Sequence, residues 1–177
     1  MLSLTFREAS TDDAPELVTF INAAYRGETA KKGWTTEADL LSGTRIDDVE
    51  ICHKIEAPRS YLIMAHDAEN KLAACCEVLC HESNVAYFGL FAVDPQRQAG
   101  GIGRQVLEYA EAFCKEKWQC PKIEMQVIWT RTELISWYER RGYKLVPGVT
   151  RPFPVQNLKN GQPLRDDLHF IVLEKTL

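Results

Sequence analysis

Three features of the 177-residue sequence predict a single mixed α/β domain, residues 1–177, with a mixed, mostly antiparallel sheet flanked by helices. Between Ser60 and Val93, three apolar runs are separated by two turn-forming segments, Asp67-Ala68-Glu69-Asn70-Lys71 and Ser83-Asn84. That pattern makes two successive hairpins and an antiparallel meander. From Tyr87 to Trp129 a strand, a glycine-rich turn, a run of helical period and another strand follow one another, which predicts parallel pairing across the helix. The length suits one well-buried core and is short for two.

In chain order, Leu4–Glu8 alternates as a strand does. Ser10-Thr11-Asp12-Asp13 offers a hydroxyl cap and acids for a helix start, Pro15 falls in the first turn, and Leu17, Val18, Ile21, Ala24 and Tyr25 form one apolar face ending at Gly27. Gly33-Trp34-Thr35-Thr36 leads into a short helix ending near Gly43, and Asp47–Glu56 reads as another helix. Ser60–Asp67, Leu72–Glu82 and Val85–Val93 are the meander strands. The helix from Ile102 carries Val106, Leu107, Tyr109, Ala110, Phe113, Cys114 and Trp118 at three- and four-residue steps. Lys122–Trp129 is a strand. Thr130 with Glu133 has the capping-box pattern for a helix ending at Gly142. Tyr143–Val146 and His169–Leu173 read as two last strands separated by a long loop.

Composition narrows the function. A net charge of −4 with no block of like charge gives no basic track for nucleic acid. No apolar run approaches the roughly 20 residues of a membrane helix, and Met1–Ser10 lacks the form of a signal peptide, so a cytoplasmic protein without membrane or nucleic-acid partners is expected. The six cysteines show no C-x-x-C pair and no Cys/His zinc spacing, so free thiols and no metal are expected.

The chemistry centres on Gln98-Ala99-Gly100-Gly101-Ile102-Gly103-Arg104, between Phe91-Ala92-Val93 at a strand end and the long helix. Glycine there allows positive φ and close approach to the backbone. The unpartnered N–H groups and dipole of the helix start favour an anion, most often a phosphate. The G-x-x-x-x-G-K-[ST] loop is absent. The dinucleotide fingerprint fits only in part: its third glycine would be Val106, and Glu124 lies inside a strand instead of at its end.

The spacing Gln98-x-x-Gly101-x-Gly103 resembles the pyrophosphate-binding motif of the GCN5-related N-acetyltransferases, which use acetyl-coenzyme A. A second stretch, Leu134 to Tyr143, resembles that family's second motif, in which a Tyr precedes a Gly-aromatic pair by four residues; here these are Tyr138, Gly142 and Tyr143. The resemblance spans about Leu4–Leu173 and implies that family's fold. It implies direct acetyl transfer from acetyl-coenzyme A to an amine, a small molecule or a peptide, by a monomer or homodimer. Tyr138 would be the general acid that protonates the leaving thiolate, a role suited to a phenol with an unperturbed pKa of about 10. Phe91, Ala92 and Val93 would meet the pantetheine arm, and Gln98 to Arg104 the pyrophosphate. Arg131 stands where many members carry Asn and could meet the cofactor or a carboxylate, or sit on the surface. Tyr87 stands where some members carry a Glu base. Glu77, His81, Glu82 and Tyr87 are the base candidates on the central hairpin. Tyr25, Arg26, Trp34 and Phe153 would wall the acceptor cleft. The alternative is a non-catalytic acyl-coenzyme A sensor with the same fold.

Overall fold

Apolar runs broken by turn residues in the middle of the chain and period-3.6 patterning on either side give strands and helices in a computed structural model that describes residues 3–26, 36–97, 100–158 and 160–177. The strands are β1 (Thr5–Glu8), β2 (Ser60–His66), β3 (Leu72–Cys80), β4 (Ala86–Val93), β5 (Lys122–Ile128), β6 (Lys144–Pro152) and β7 (His169–Thr176). The helices are α1 (Ala14–Tyr25), α2 (Asp48–Glu56), α3 (Ile102–Trp118) and α4 (Thr132–Glu139). One seven-stranded sheet runs β1-β2-β3-β4-β5-β7-β6. Its neighbours are antiparallel except β4 and β5, the pair joined through α3. A mixed α/β fold with a mostly antiparallel sheet is therefore what the chain forms.

The sheet separates two apolar layers. Val106, Leu107, Ala110 and Cys114 of α3 pack with Leu134 and Tyr138 of α4 on one face, over Ile63, Cys76, Val78 and Phe88. Leu17, Ile21 and Ala24 of α1 pack with Ile51 of α2 on the other, over Leu62, Met64, Cys75 and Leu90. Because both faces are covered, β2 and β3 are apolar at nearly every position instead of alternating. Each fully buried side chain of Leu or Ile size contributes about 1.5–3 kcal/mol through removal from water.

Three local expectations are corrected. Residues 36–43 make one turn, with Leu40 and Leu41 N–H groups donating to the Glu37 carbonyl, after which Leu41 bridges to Pro163. The chain there bridges to the loop between β6 and β7, and residues 36–43 form no helix. Thr130 does not cap α4: the N-cap is Arg131 without a side-chain cap bond, and the Thr130 hydroxyl is buried without a partner. β6 runs on through Pro147 and Gly148 to Pro152. Pro147 is tolerated because β6 is an edge strand, and the register slips between Leu145 and Thr150 where Gly148 takes φ +70°.

Candidate active site

β4 and β5 pair only at Ala86 with Ile123 and Tyr87 with Glu124, among the described residues. Beyond them the two strands part. β4 also carries a bulge: Glu77 pairs with Gly89 and Cys75 with Ala92, so Leu90 and Phe91 together oppose Cys76. Leu90 takes φ +45°, a backbone state that costs a non-glycine residue about 1–3 kcal/mol. The extra residue turns Phe91 toward α3 and Leu90 toward α1. The parted strands leave a cleft of about 280 Å³, lined by Tyr87, Leu90 and Phe91 of β4, Met125 to Ile128 of β5, and Leu134 and Tyr138 of α4. Tyr25, Arg26, Glu37, Arg45 and Arg131 add a charged part to the lining, and Phe153 and Phe170 an aromatic one.

The glycine turn lies at the end of β4. Gly101 is the N-cap of α3 at φ +77°, and a Cβ added there would have no heavy atom within 4 Å. The turn is thus strained for an L-residue and open on its outer side. Gly103 does a different job: a Cβ there would stand 3.2 Å from Phe91 and 3.4 Å from Trp137, so its absence lets the helix start settle on both rings. Arg104 is half-exposed and lies 3.8 Å from Glu108. Gln98 and Ala99 lie outside the described residues. Just before them, Arg97 is held at 2.7 Å by Asp67, whose carboxyl also accepts the Lys71 and Glu69 N–H groups. The Lys71 amide is the largest influence that draws the Asp67 pKa below the usual carboxylate range, with Arg97 adding to it. The side chains of Phe91, Ala92 and Val93 are buried in the core, so these residues can offer a ligand only their backbone.

Tyr138 is 4% exposed, packed edge-on to Trp137 and Tyr143, and lines the cleft. Burial, reinforced by Tyr25, pushes its pKa well above that of a free phenol, so it holds its proton through the neutral range. Tyr25 is buried too, and its hydroxyl donates to the Phe91 carbonyl at 2.6 Å. Its side chain thereby holds the bulged segment of β4 to α1. Tyr87 also lines the cleft, with its pKa pushed up to about 12 by burial and then by Glu77. At neutral pH it is a donor and no base.

Glu77 lies elsewhere. Strand alternation does aim it opposite to Cys76 and Val78, but that face is covered by α2, and both its oxygens accept from the Lys54 ammonium at 2.9–3.0 Å. It lines a separate groove with His53, Lys54 and Arg59 and does not line the cleft. His81 is half-exposed, 3.9 Å from Glu124. Trp34 is outside the described residues. Phe153 lies against Phe170, ring centres 5.3 Å apart and planes tilted by 37°, and both line the cleft.

The charged wall holds groups that sequence reasoning passed over. Glu37 receives Arg26 at 2.8 Å and Arg131 at 3.4 Å, all three about nine-tenths buried. Burial works against its ionisation, yet Arg131, Arg45 and Arg26 outweigh it and hold the Glu37 pKa below the usual value. Arg131 therefore meets a carboxylate of its own chain. Arg45 and Glu50 also line the cleft, Glu50 projecting from the third position after the Asp47 cap of α2. The only sequence signal for Glu50 was that Asp47 cap; Glu37 and Arg45 belong to no periodic run.

The comparisons agree with this geometry. Residues 58–145, from the start of β2 to the start of β6, match the acetyltransferase (GNAT) domain family model. Similar solved structures include a GNAT-family acetyltransferase from Staphylococcus aureus, with TM-score 0.68, 16% identity, and 99% of each chain covered. The ribosomal-protein alanine N-acetyltransferase from Escherichia coli gives TM-score 0.70 and 15% identity over 98% of this chain and 94% of that one. A variant of the spermidine N-acetyltransferase from Vibrio cholerae gives 0.71 and 15% over 98% and 93%. No curated protein matches. The chain belongs to the GNAT acetyltransferase superfamily.

Proposed function

We propose that the protein is an N-acetyltransferase that moves an acetyl group from acetyl-coenzyme A to an amine by direct attack. The observation that carries this is the buried, protonated Tyr138 phenol lining a cleft that opens where β4 and β5 part, next to the start of α3. Membership of the superfamily and an acyl-coenzyme A co-substrate are consistent with it, and the similar enzymes named above act on amines.

The residues present fit such a co-substrate. The open side of Gly101, where a Cβ would find nothing, leaves room for a pyrophosphate against the helix start, with the backbone of Gly100 to Arg104 as its donors. When bound, acetyl-coenzyme A supplies the thioester carbonyl and the thiolate that leaves. The backbone of β4 beside the gap orients the thioester end. Tyr138 gives its proton to the departing sulfur as the C–S bond breaks and the new C–N bond forms. The acceptor reacts as the free amine, and Glu50 takes the proton its nitrogen sheds as the C–N bond forms, directly or through water, since Glu37 is held by two arginines and Glu77 is outside the cleft. An alkylamine of pKa about 10.4 loses its ammonium proton to solvent before it enters, so only its free-base fraction reacts.

The test is release of free thiol from acetyl-coenzyme A with a panel of amines, beside coenzyme A binding by calorimetry. Amine-dependent release is expected. Tight coenzyme A binding with no release for any amine would return the protein to the non-catalytic sensor reading, and no binding would remove both.

A further inference from the structure

We propose that the acceptor amine also carries a carboxylate, held by Arg45 with Arg131 and Arg26 behind it; this rests on the acetyl-transfer reading of the same cleft. The lining sets three guanidinium groups, Arg26, Arg45 and Arg131, against two carboxylates, Glu37 and Glu50. Glu37 is shared between Arg26 and Arg131. Among the described residues Arg45 has no ion-pair partner: its guanidinium lies 5.5 Å from the centre of the Tyr25 ring, and Glu37 and Glu50 act on it only through space. Its position is fixed and not left to a loose loop. The Asn22 side-chain oxygen accepts the Arg45 backbone N–H at 2.6 Å, and the Asn22 amide donates to the Ile46 carbonyl at 2.9 Å.

Donors are in surplus as well as charge. One terminal nitrogen of Arg131 and the Nε of Arg26 are buried without an acceptor. A carboxylate entering beside Arg45 answers both surpluses, because its two oxygens match the planar donors of a guanidinium and its charge offsets the excess. Phe153 and Phe170, in the same lining, offer an apolar surface for the uncharged body of the same molecule. The acceptor this describes is an amino carboxylate, such as a free amino acid. A polyamine fits poorly, because its additional ammonium groups would face three guanidinium groups.

The experiment compares amino acids with their decarboxylated counterparts and with spermidine, by thiol release from acetyl-coenzyme A. A carboxylate hydrogen-bonded to a charged donor should favour the amino acid by about ten- to hundredfold in kcat/KM. Arg45→Gln should bring the two members of each pair close to parity, through KM, with coenzyme A affinity unchanged. Equal use of amines with and without the carboxylate, or a preference for spermidine, would overturn the proposal. A second readout is calorimetric binding of N-acetyl amino acids and of the matching N-acetyl amines to the coenzyme A-loaded protein. If no amine releases thiol the transfer reading falls, and this binding pair still decides the carboxylate: tighter binding of the acid upholds it, and equal binding overturns it.

Discussion

Replacing Tyr138 with Phe separates catalysis from packing at one atom. The ring lies against Trp137 and Tyr143, with centre distances of 5.1 and 5.7 Å, and Phe keeps both contacts. Removing the hydroxyl leaves the buried ring in place, so stability should change by no more than about 1 kcal/mol. General-acid assistance is typically worth about 10²–10⁴ in rate, or roughly 3–5 kcal/mol of barrier. Single-turnover acetyl transfer should therefore slow by that factor, while coenzyme A affinity by calorimetry holds. The raised pKa also has a sign. The folded phenol keeps its proton where the unfolded one loses it, so its contribution to stability is full below about pH 10 and is lost as pH rises beyond that. Tyr138→Phe should lose less stability than wild type between pH 9 and about 11 in denaturant titrations. A mutant with wild-type single-turnover rate, where chemistry is limiting, would show that Tyr138 is a core aromatic and that the leaving thiolate gains its proton elsewhere.

Other perturbations reach the remaining parts of the cleft. Gly101→Ala should cost about 1–2 kcal/mol by melting, because φ +77° is strained for Ala although no atom is in the way, and Gly101→Asn should cost less. Gly101→Glu should weaken coenzyme A by more than about tenfold in calorimetry, through like charge at the helix start. Glu37→Gln leaves Arg26 and Arg131 buried without their shared carboxylate and should destabilise the fold by about 3–5 kcal/mol in urea. Since the Glu37 pKa is lowered, the wild-type contribution should be present above about pH 4.3 and fade as the pH falls through the lower folded value. Brief alkylation of the native protein, read by peptide mass spectrometry, should label Cys52 first, because the other five cysteines are buried and burial pushes Cys75, Cys114 and Cys120 up to about 12.

The sequence carried the fold well where local pattern and final contacts agree. The hairpins of β2 to β4, the span of α3 and the glycine turn follow from apolar period and turn residues, and Tyr138 sits on the helix its spacing implied. Reading failed where tertiary neighbours decide. Alternation correctly turned Glu77 away from Cys76 and Val78, but nothing local to β3 says that α2 covers that face and brings Lys54 to it. The Arg26–Glu37–Arg131 cluster joins residues 11 and 94 positions apart, so no window contains it. Arg45 depends on Asn22 of α1 for its place. β6 runs past its expected end at Val146: a proline inside a strand is tolerated only at an edge, and edge status emerges only once the sheet order is known.

The groups around the cleft share one electrostatic property. Burial drives the Tyr25, Tyr87 and Tyr138 phenols upward, and three guanidinium groups hold Glu37 down. Both directions keep each group in one protonation state through neutral pH. The walls therefore present a constant field, and the pH dependence of transfer between about pH 7 and 9 should belong to the acceptor amine. In that range kcat/KM should climb about tenfold per pH unit below the amine pKa and level off at it. Two acceptors of similar shape but different amine pKa should shift the limb by the difference between them. A limb that stays at one pH for both would place the titrating group in the protein, and the constant-field account of these residues would be wrong.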